Sequence, residues 1–149
     1  GIEAQILPVV RELGIGVTAY GIMSRGLLST ASARQIGPGD PRSRFPRFQG
    51  ENLRRNLDLL ATLEKIADAR GVSTAQLAIA WVASRGRDIV PLIGTKRPAR
   101  LAEALAALAI TLSPAELAAI EAAVPPGQVA GERYDAAGMT SLDSENPPA

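Results

Sequence analysis

Two short stretches carry residues whose types and spacing could do chemistry. The first is VPLIGTKRPARLAEAL, residues 90–105. An apolar run ends at Gly94, Thr95 and the cations Lys96 and Arg97 follow, and Pro98 suits the first turn of a helix. The end of a strand and the start of the next helix form the ligand rim of α/β folds. Backbone N–H groups and the helix dipole there attract anions. Gly94 permits close backbone approach, Lys96 adds a compact charge, and Arg97 or Arg100 offers a guanidinium fork that suits phosphate. The plainer alternative is an exposed helix start with solvated cations. The second stretch is TAYGIMSRGLL, residues 18–28. Tyr20 ends a strand, where its ring could stack on a planar group. Gly21 and Gly26 bracket a tight loop whose N–H groups could meet a diphosphate. Read alone, this stretch also fits a core tyrosine followed by an ordinary turn.

These residues need elements that bring them together. Ile2, Ile6, Val9, Val10 and Leu13 recur at helical spacing, and Gly14 stands where a C-terminal cap would. Residues 15–20, IGVTAY, read as a strand. Residues 30–50 are rich in Gly, Pro, Arg and Ser without a period, which predicts a long irregular loop. Residues 53–70 form a helix with Leu53, Leu57, Leu60, Leu63, Ile66 and Ala67 on its inner face, stopped by Gly71. Ser73 and Gln76 have capping-box spacing and open another helix. DIVPLIG, residues 88–94, is a second strand, apolar on both faces as a doubly covered parallel strand would be. A helix follows from Pro98 to about residue 108, and Ser113, Pro114 and Glu116 open one more. Strands separated by helices imply a parallel sheet. Two strands cannot close a barrel, and an eight-stranded one needs ~250 residues. The chain is therefore expected to be the closing quarter of a (β/α)8 barrel with an extra helix, over residues 1–124. An irregular tail spreading over a surface is expected for residues 125–149. The chain starts at Gly1 directly in a helical pattern, and it is expected to be a piece of a larger protein.

Composition removes several function classes. The chain has 149 residues with 16 Lys+Arg and 15 Asp+Glu, a net charge of +1 that argues against broad nucleic-acid binding. There is no cysteine, so disulfide and thiolate chemistry are absent and a reducing, cytoplasmic setting is expected. There is no histidine, the commonest general acid–base group. No apolar run approaches the ~20 residues of a membrane span. No metal ligand is assigned. Arg42, Arg44 and Arg47 read as a solvated basic loop, with a lid over a ligand as the alternative. Trp81 lies with Leu77, Ala78 and Val82 and reads as packing.

Taken together, GIGVTAYGIMSRGLL, ENLRRNLDLLATLEKIADARGVSTAQLAIAWV and IVPLIGTKRPARLAEALAAL resemble the C-terminal half of an aldo-keto reductase, over residues 7–124. The resemblance implies a (β/α)8 barrel that reduces small carbonyl compounds with NADPH. Residues 15–20 would then be the seventh strand, residues 89–94 the eighth, and residues 113–124 the extra helix. It implies that Tyr20 stacks on nicotinamide and that Gly21, Ile22, Met23, Ser24 and Arg25 form the loop over the diphosphate. Gly94, Thr95 and Lys96 would hold the 2′-phosphate of NADP, with Arg100 beside it. Glu103 would lie near adenine, with Ala104 where the family usually has asparagine. Gly21, Ile22 and Met23 stand where the family more often has Ser-Pro-Leu, which removes a serine hydroxyl contact. The family's catalytic Asp, Tyr, Lys and His match nothing here, so no catalytic residue is assigned and the chain alone is expected to be inactive. Two rival expectations stay open: a non-catalytic NADP-binding subunit like the channel β subunits of this fold, and a truncated structural remnant. Self-association of the isolated chain is also expected, because helix and strand faces would lack barrel partners.

Overall fold

The computed structural model describes residues 2–142. Helix α1 (Ile2–Glu12) leads into strand β1 (Val17–Ala19). A left-handed turn follows, then short helix α2 (Thr30–Ala33) and two 3-10 turns, Pro41–Arg44 and Pro46–Phe48. Helices α3 (Gly50–Arg70) and α4 (Thr74–Ser84) precede strand β2 (Ile89–Pro91). Helix α5 (Pro98–Ala106), helix α6 (Pro114–Ala123) and short helix α7 (Ala136–Met139) complete the order.

Local chemistry sets the helix ends. Gly71 closes α3 in the left-handed conformation, at φ 72°. Ser73 with Gln76 caps α4, and Ser113 with Glu116 caps α6, each as a full capping box. These ends follow the sequence expectation. Both strands are shorter than expected, and they pair in parallel with Val17 opposite Ile89 and Ala19 opposite Pro91.

Helices cover one face of this sheet. Ile89 is buried, and Ile93 packs against Ile79 of α4 and Ala104 of α5. The other face is open: Val90 is 57% and Leu92 55% exposed, so β2 is covered on one side and not on both. The apolar stripe of α1 is open as well, with Ile2, Ile6, Val9 and Leu13 exposed and Leu7 buried. No described element lies over either surface, which leaves the predicted stripe without a partner among the described residues.

The main core joins α3, α4 and α6 through Leu63, Ala67, Leu77, Ala80, Leu112 and Ile120. Leu60 and Leu77 are each 2% exposed, and burying such a side chain stabilises by about 1.5–3 kcal/mol. Trp81 packs against this core as expected. Arg54 pairs with Glu51 at 2.5 Å on the exposed face of α3.

Residues 30–50 are more ordered than an irregular loop. Phe45 and Phe48 are buried and form a second core with Leu27, Ala33 and Leu60. The turns close on short contacts: Asp40 accepts from the Arg42 backbone at 2.8 Å and pairs with its guanidinium at 2.7 Å. The described part of the tail is pinned at Asn56. Asn56, 2% exposed, donates to Ala130 O at 2.9 Å and accepts from Ala130 N at 2.8 Å. Gly131 sits at φ 78°, and a Cβ there would stand 2.8 Å from the Pro46 carbonyl carbon. Only glycine fits that approach. The last part of the predicted tail, residues 143–149, lies outside the described residues.

Candidate functional site

Parallel, in-register pairing determines where the two sequence stretches meet. Leu92 N–H donates to Ala19 O at 2.9 Å, so Tyr20 and the segment through Lys96 leave the same end of the sheet. The opposite end is held by Arg11, whose guanidinium donates to Asp88 at 2.8 Å and to Arg85 O at 2.7 Å. That pairing keeps the Asp88 carboxyl below its ordinary range.

The arm after β2 is built on stable supports. The position a Gly94 side chain would take is open, with nothing within 4 Å. Thr95 Oγ1 accepts from Arg97 N at 3.2 Å and sets the turn into α5. Arg97 is the N-cap residue and supplies no side-chain cap, unlike the capping boxes of α4 and α6. Lys96 and Arg97 are exposed there. Farther along α5, Arg100 pairs with Glu103 at 2.7 Å, and Glu103 also accepts from Ser73 Oγ at 2.6 Å. Ser73 foremost, and Arg100 after it, hold the Glu103 carboxyl below its ordinary value against the opposing effect of burial. Gln76 donates to Glu103 O at 3.1 Å, so the capping residues of α4 also fix α5.

The arm after β1 is a loop of unusual backbone. Gly21 stands at φ 70°, and Ser24, Arg25 and Gly26 follow at 46°, 54° and 85°. Ile22 anchors it against the cluster of Ile79, Ala104 and Ala107. Tyr20 is 74% exposed, which leaves its ring open for stacking. The neighbouring Tyr134 hydroxyl raises the Tyr20 phenol above its ordinary value, and that of Tyr134 is lowered in turn.

A cavity of about 130 Å³ between the arms is lined by Met23, Gly94, Thr95, Arg100, Glu103 and Ala104. Ligand sites typically enclose ~300–1,000 Å³, so this cavity suits one end of a ligand. Lys96 stands exposed at its edge of the sheet, one residue past Thr95. Arg25 does not join the group: its guanidinium lies 4.1 Å from the Phe45 ring centre and 4.6 Å from that of Tyr134. A larger crevice of about 580 Å³ lies elsewhere, among α4, α6 and the following residues; of the predicted residues only Ile22 reaches it. Its walls are mostly apolar, and the Arg85 that lines it is paired with Glu3 and Glu121, so the smaller cavity between the two arms is the better candidate.

Sequence reasoning missed Tyr134, Phe45 and Asn56. A signal was present in the phenylalanines. The chain has only two, both in the stretch read as irregular loop, and paired bulky aromatics in a loop indicate docking against a core. Arg42, Arg44 and Arg47 form no single lid. Arg42 pairs with Asp40, Arg44 lies 4.8 Å from the Phe45 ring centre, and Arg47 donates to Gly131 O at 3.2 Å.

The sequence profile of the Aldo/keto reductase family matches residues 2–125. The chain belongs to the aldo/keto reductase family. Among its aldo/keto reductase relatives, it is 40% identical over 134 residues to "Probable aldo-keto reductase 1" of Glycine max. That match covers 89% of this chain and 39% of the relative. The structure of the glycerol dehydrogenase AKR11B4 from Gluconobacter oxydans superposes with a TM-score of 0.73 at 31% identity. It covers 82% of this chain and 38% of that one. The chain thus spans about two-fifths of the length of these aldo/keto reductases, and its α/β fold resembles part of their barrel. Among the described residues, no helix is long and apolar enough to cross a membrane, and no cluster of three metal-ligating side chains occurs.

Proposed function

We propose that this chain is the NADP(H)-binding part of a cytoplasmic aldo-keto reductase that reduces small aldehydes or ketones. In this reading residues 1–124 form the closing part of the barrel, with β1 and β2 as strands seven and eight, and residues 125–149 are a tail. The observation that carries it is the parallel register of β1 and β2, which leaves Tyr20 and Gly94–Lys96 at one sheet end. The residues present fit a phosphorylated dinucleotide at that end. The space beside Gly94 is open, two exposed cations flank a helix start without a side-chain cap, and the Tyr20 ring is accessible.

When bound, NADPH supplies the hydride that reduces a carbonyl carbon. The chain's own residues position it. Tyr20 offers a ring face for nicotinamide, and holding that ring in line with the carbonyl is an orientation effect. Gly21, Ile22, Met23 and Ser24 present backbone to the diphosphate. Gly94, Thr95 and Lys96 meet the 2′-phosphate, with Arg100 beside them. Glu103 holds Arg100 in place, which puts its effect at the adenine end through another side chain, and Ala104 contributes packing. No residue of this chain moves the substrate proton, so the 149 residues alone do not turn over.

Lys96→Ala in the full-length polypeptide tests the reading. A charge-assisted hydrogen bond contributes about 1.5–3 kcal/mol, and exposure brings Lys96 to the lower end of that range. NADPH affinity measured by calorimetry should fall about tenfold, with NADH affinity changing less than about twofold. Equal weakening of both nucleotides would count against the 2′-phosphate assignment.

A further inference from the structure

Arg25 lies in the loop assigned to the diphosphate, yet its side chain is engaged elsewhere. Its guanidinium sits between two rings, 4.1 Å from the Phe45 centre and 4.6 Å from the Tyr134 centre. Those rings meet edge to face, with centroids 6.4 Å apart at 76°. Arg25 Nη1 also donates to Arg133 O at 2.9 Å. A planar, delocalised cation between aromatic faces is a favourable arrangement that an ammonium reproduces poorly.

The backbone at this point is costly. Ser24 and Arg25 both adopt the left-handed conformation, at φ 46° and 54°, without being glycine. Such residues persist only where the surroundings over-determine them. Here the surroundings come from two directions. Arg42 approaches Arg25 O at 3.4 Å and donates to Ser32 Oγ at 2.8 Å. The tail approaches from the other side, fixed by the Asn56 contacts to Ala130 and by the close approach at Gly131. Tyr134 then reaches the Arg25 guanidinium.

We propose that Arg25 and Tyr134 form a clasp through which the C-terminal tail sets the shape of the loop after β1. Arg25 acts as a bolt between Phe45 and Tyr134, and not as a charge donated to phosphate. Tyr134 is a positioning residue: its ring holds Arg25 against Phe45. The clasp is a property of the folded chain by itself. Its consequence for nucleotide rests on the proposed NADPH site, where the clasp keeps the backbone of residues 21–26 in its left-handed turn.

The test uses the full-length polypeptide and two readouts. The first is hydrogen exchange, without nucleotide, of the Ser24, Gly26 and Leu27 amides, which donate to the Gly21, Met23 and Ser24 carbonyls, in Arg25→Lys, Tyr134→Ala and the double variant. Each single change should speed exchange about tenfold, and the double should do no more than the worse single, because either one opens the same clasp. Tyr134→Phe keeps the ring over Arg25 and should leave these amides protected, which controls for general loss of folding. Unchanged exchange in either single variant, or multiplicative effects in the double, would overturn the clasp. The second readout is NADPH affinity against salt concentration. The clasp predicts that Arg25→Lys and Tyr134→Ala weaken binding by a similar factor with an unchanged salt slope. Near-normal binding by Arg25→Lys and by Tyr134→Ala, with a reduced slope in Arg25→Ala, would make Arg25 a phosphate ligand instead. Absence of NADPH binding by the unaltered protein would sink the nucleotide site, and the exchange experiment would still decide the clasp.

Discussion

Asn56 is the residue on which the placement of the tail depends, and its replacement by alanine has a calculable effect. Its side chain is 2% exposed and makes three bonds: to Arg47 O at 3.0 Å, to Ala130 O at 2.9 Å and from Ala130 N at 2.8 Å. A net contribution of about 1 kcal/mol per bond puts the loss near 3 kcal/mol. Leaving backbone groups buried without partners would raise it, while release of the tail into water would limit it. Local release around Ala130 is the favoured outcome, because the tail is held on its far side by Arg47 at Gly131 O and Arg25 at Arg133 O. The amide of Ala130 should then exchange about 150-fold faster, the equivalent of 3 kcal/mol. Asn56→Asp sharpens the test. It keeps an oxygen for Ala130 N but turns a buried carboxylate toward the Arg47 and Ala130 carbonyls, so it should be worse than alanine despite its shape. Hydrogen exchange by mass spectrometry of the full-length polypeptide gives the local value, and urea denaturation gives the global one. Unchanged protection at Ala130 in Asn56→Ala, or an Asp variant as stable as the parent, would refute the reasoning.

Other outcomes follow from the same coordinates. Leu60→Ala, at a site 2% exposed between α3 and the buried phenylalanines, should cost about 2–5 kcal/mol in chemical denaturation of the full-length polypeptide. Asp40 is held at about 2, from an ordinary 3.8, by the Arg42 side chain first and its backbone N–H second. A carboxylate lowered in the folded state contributes stability above its unfolded value, and that contribution fades as pH falls from about 4 to about 2. Asp40→Asn should therefore be less stable at neutral pH and converge with the parent below that window in acid-melting curves. The isolated 149 residues expose Ile6, Val9 and Leu13 on and just beyond α1 and Leu101, Leu105 and Leu108 on and just beyond α5. They should bind a hydrophobic dye and sediment as oligomers; a monodisperse monomer with a cooperative unfolding transition would show that these faces need no partner.

What the sequence revealed was local or repetitive. The caps at Ser73 and Ser113 and the stop at Gly71 depend on residues within one helical turn, so four letters suffice to find them. The strands declared themselves through β-branched residues, and parallel pairing followed from the helices between them. The common end of Tyr20 and Gly94 was legible for the same reason. The contacts that fix the loop after β1 were not legible, because they link distant residues whose types are ordinary. Asn56 to Ala130 spans 74 positions and Arg25 to Arg133 spans 108. An asparagine within a helical stripe reads as a solvated break in the pattern, and only coordinates show it feeding a second backbone. Val90 and Leu92 have the right chemistry for burial and no described element covers them, in line with the expectation that strand faces of this chain lack barrel partners.

The two arms of the proposed site therefore differ in how they are supported, and this bears on what each can contribute. The arm after β2 is tied to α4 through Ser73 and Gln76, residues that also cap that helix, which fixes Glu103 and, through it, Arg100. Rigid placement of charge favours selectivity, because a cation fixed in space rewards a phosphate at one position only. The arm after β1 owes its left-handed turn to side chains from residues 42 and 134, which can release without disturbing the main core of α3, α4 and α6. A segment held that way can open for a dinucleotide and close on it. Discrimination between the phosphorylated and unphosphorylated cofactor should accordingly sit on the arm that carries Lys96 and Arg100, and the rate of cofactor exchange on the clasp at Tyr134.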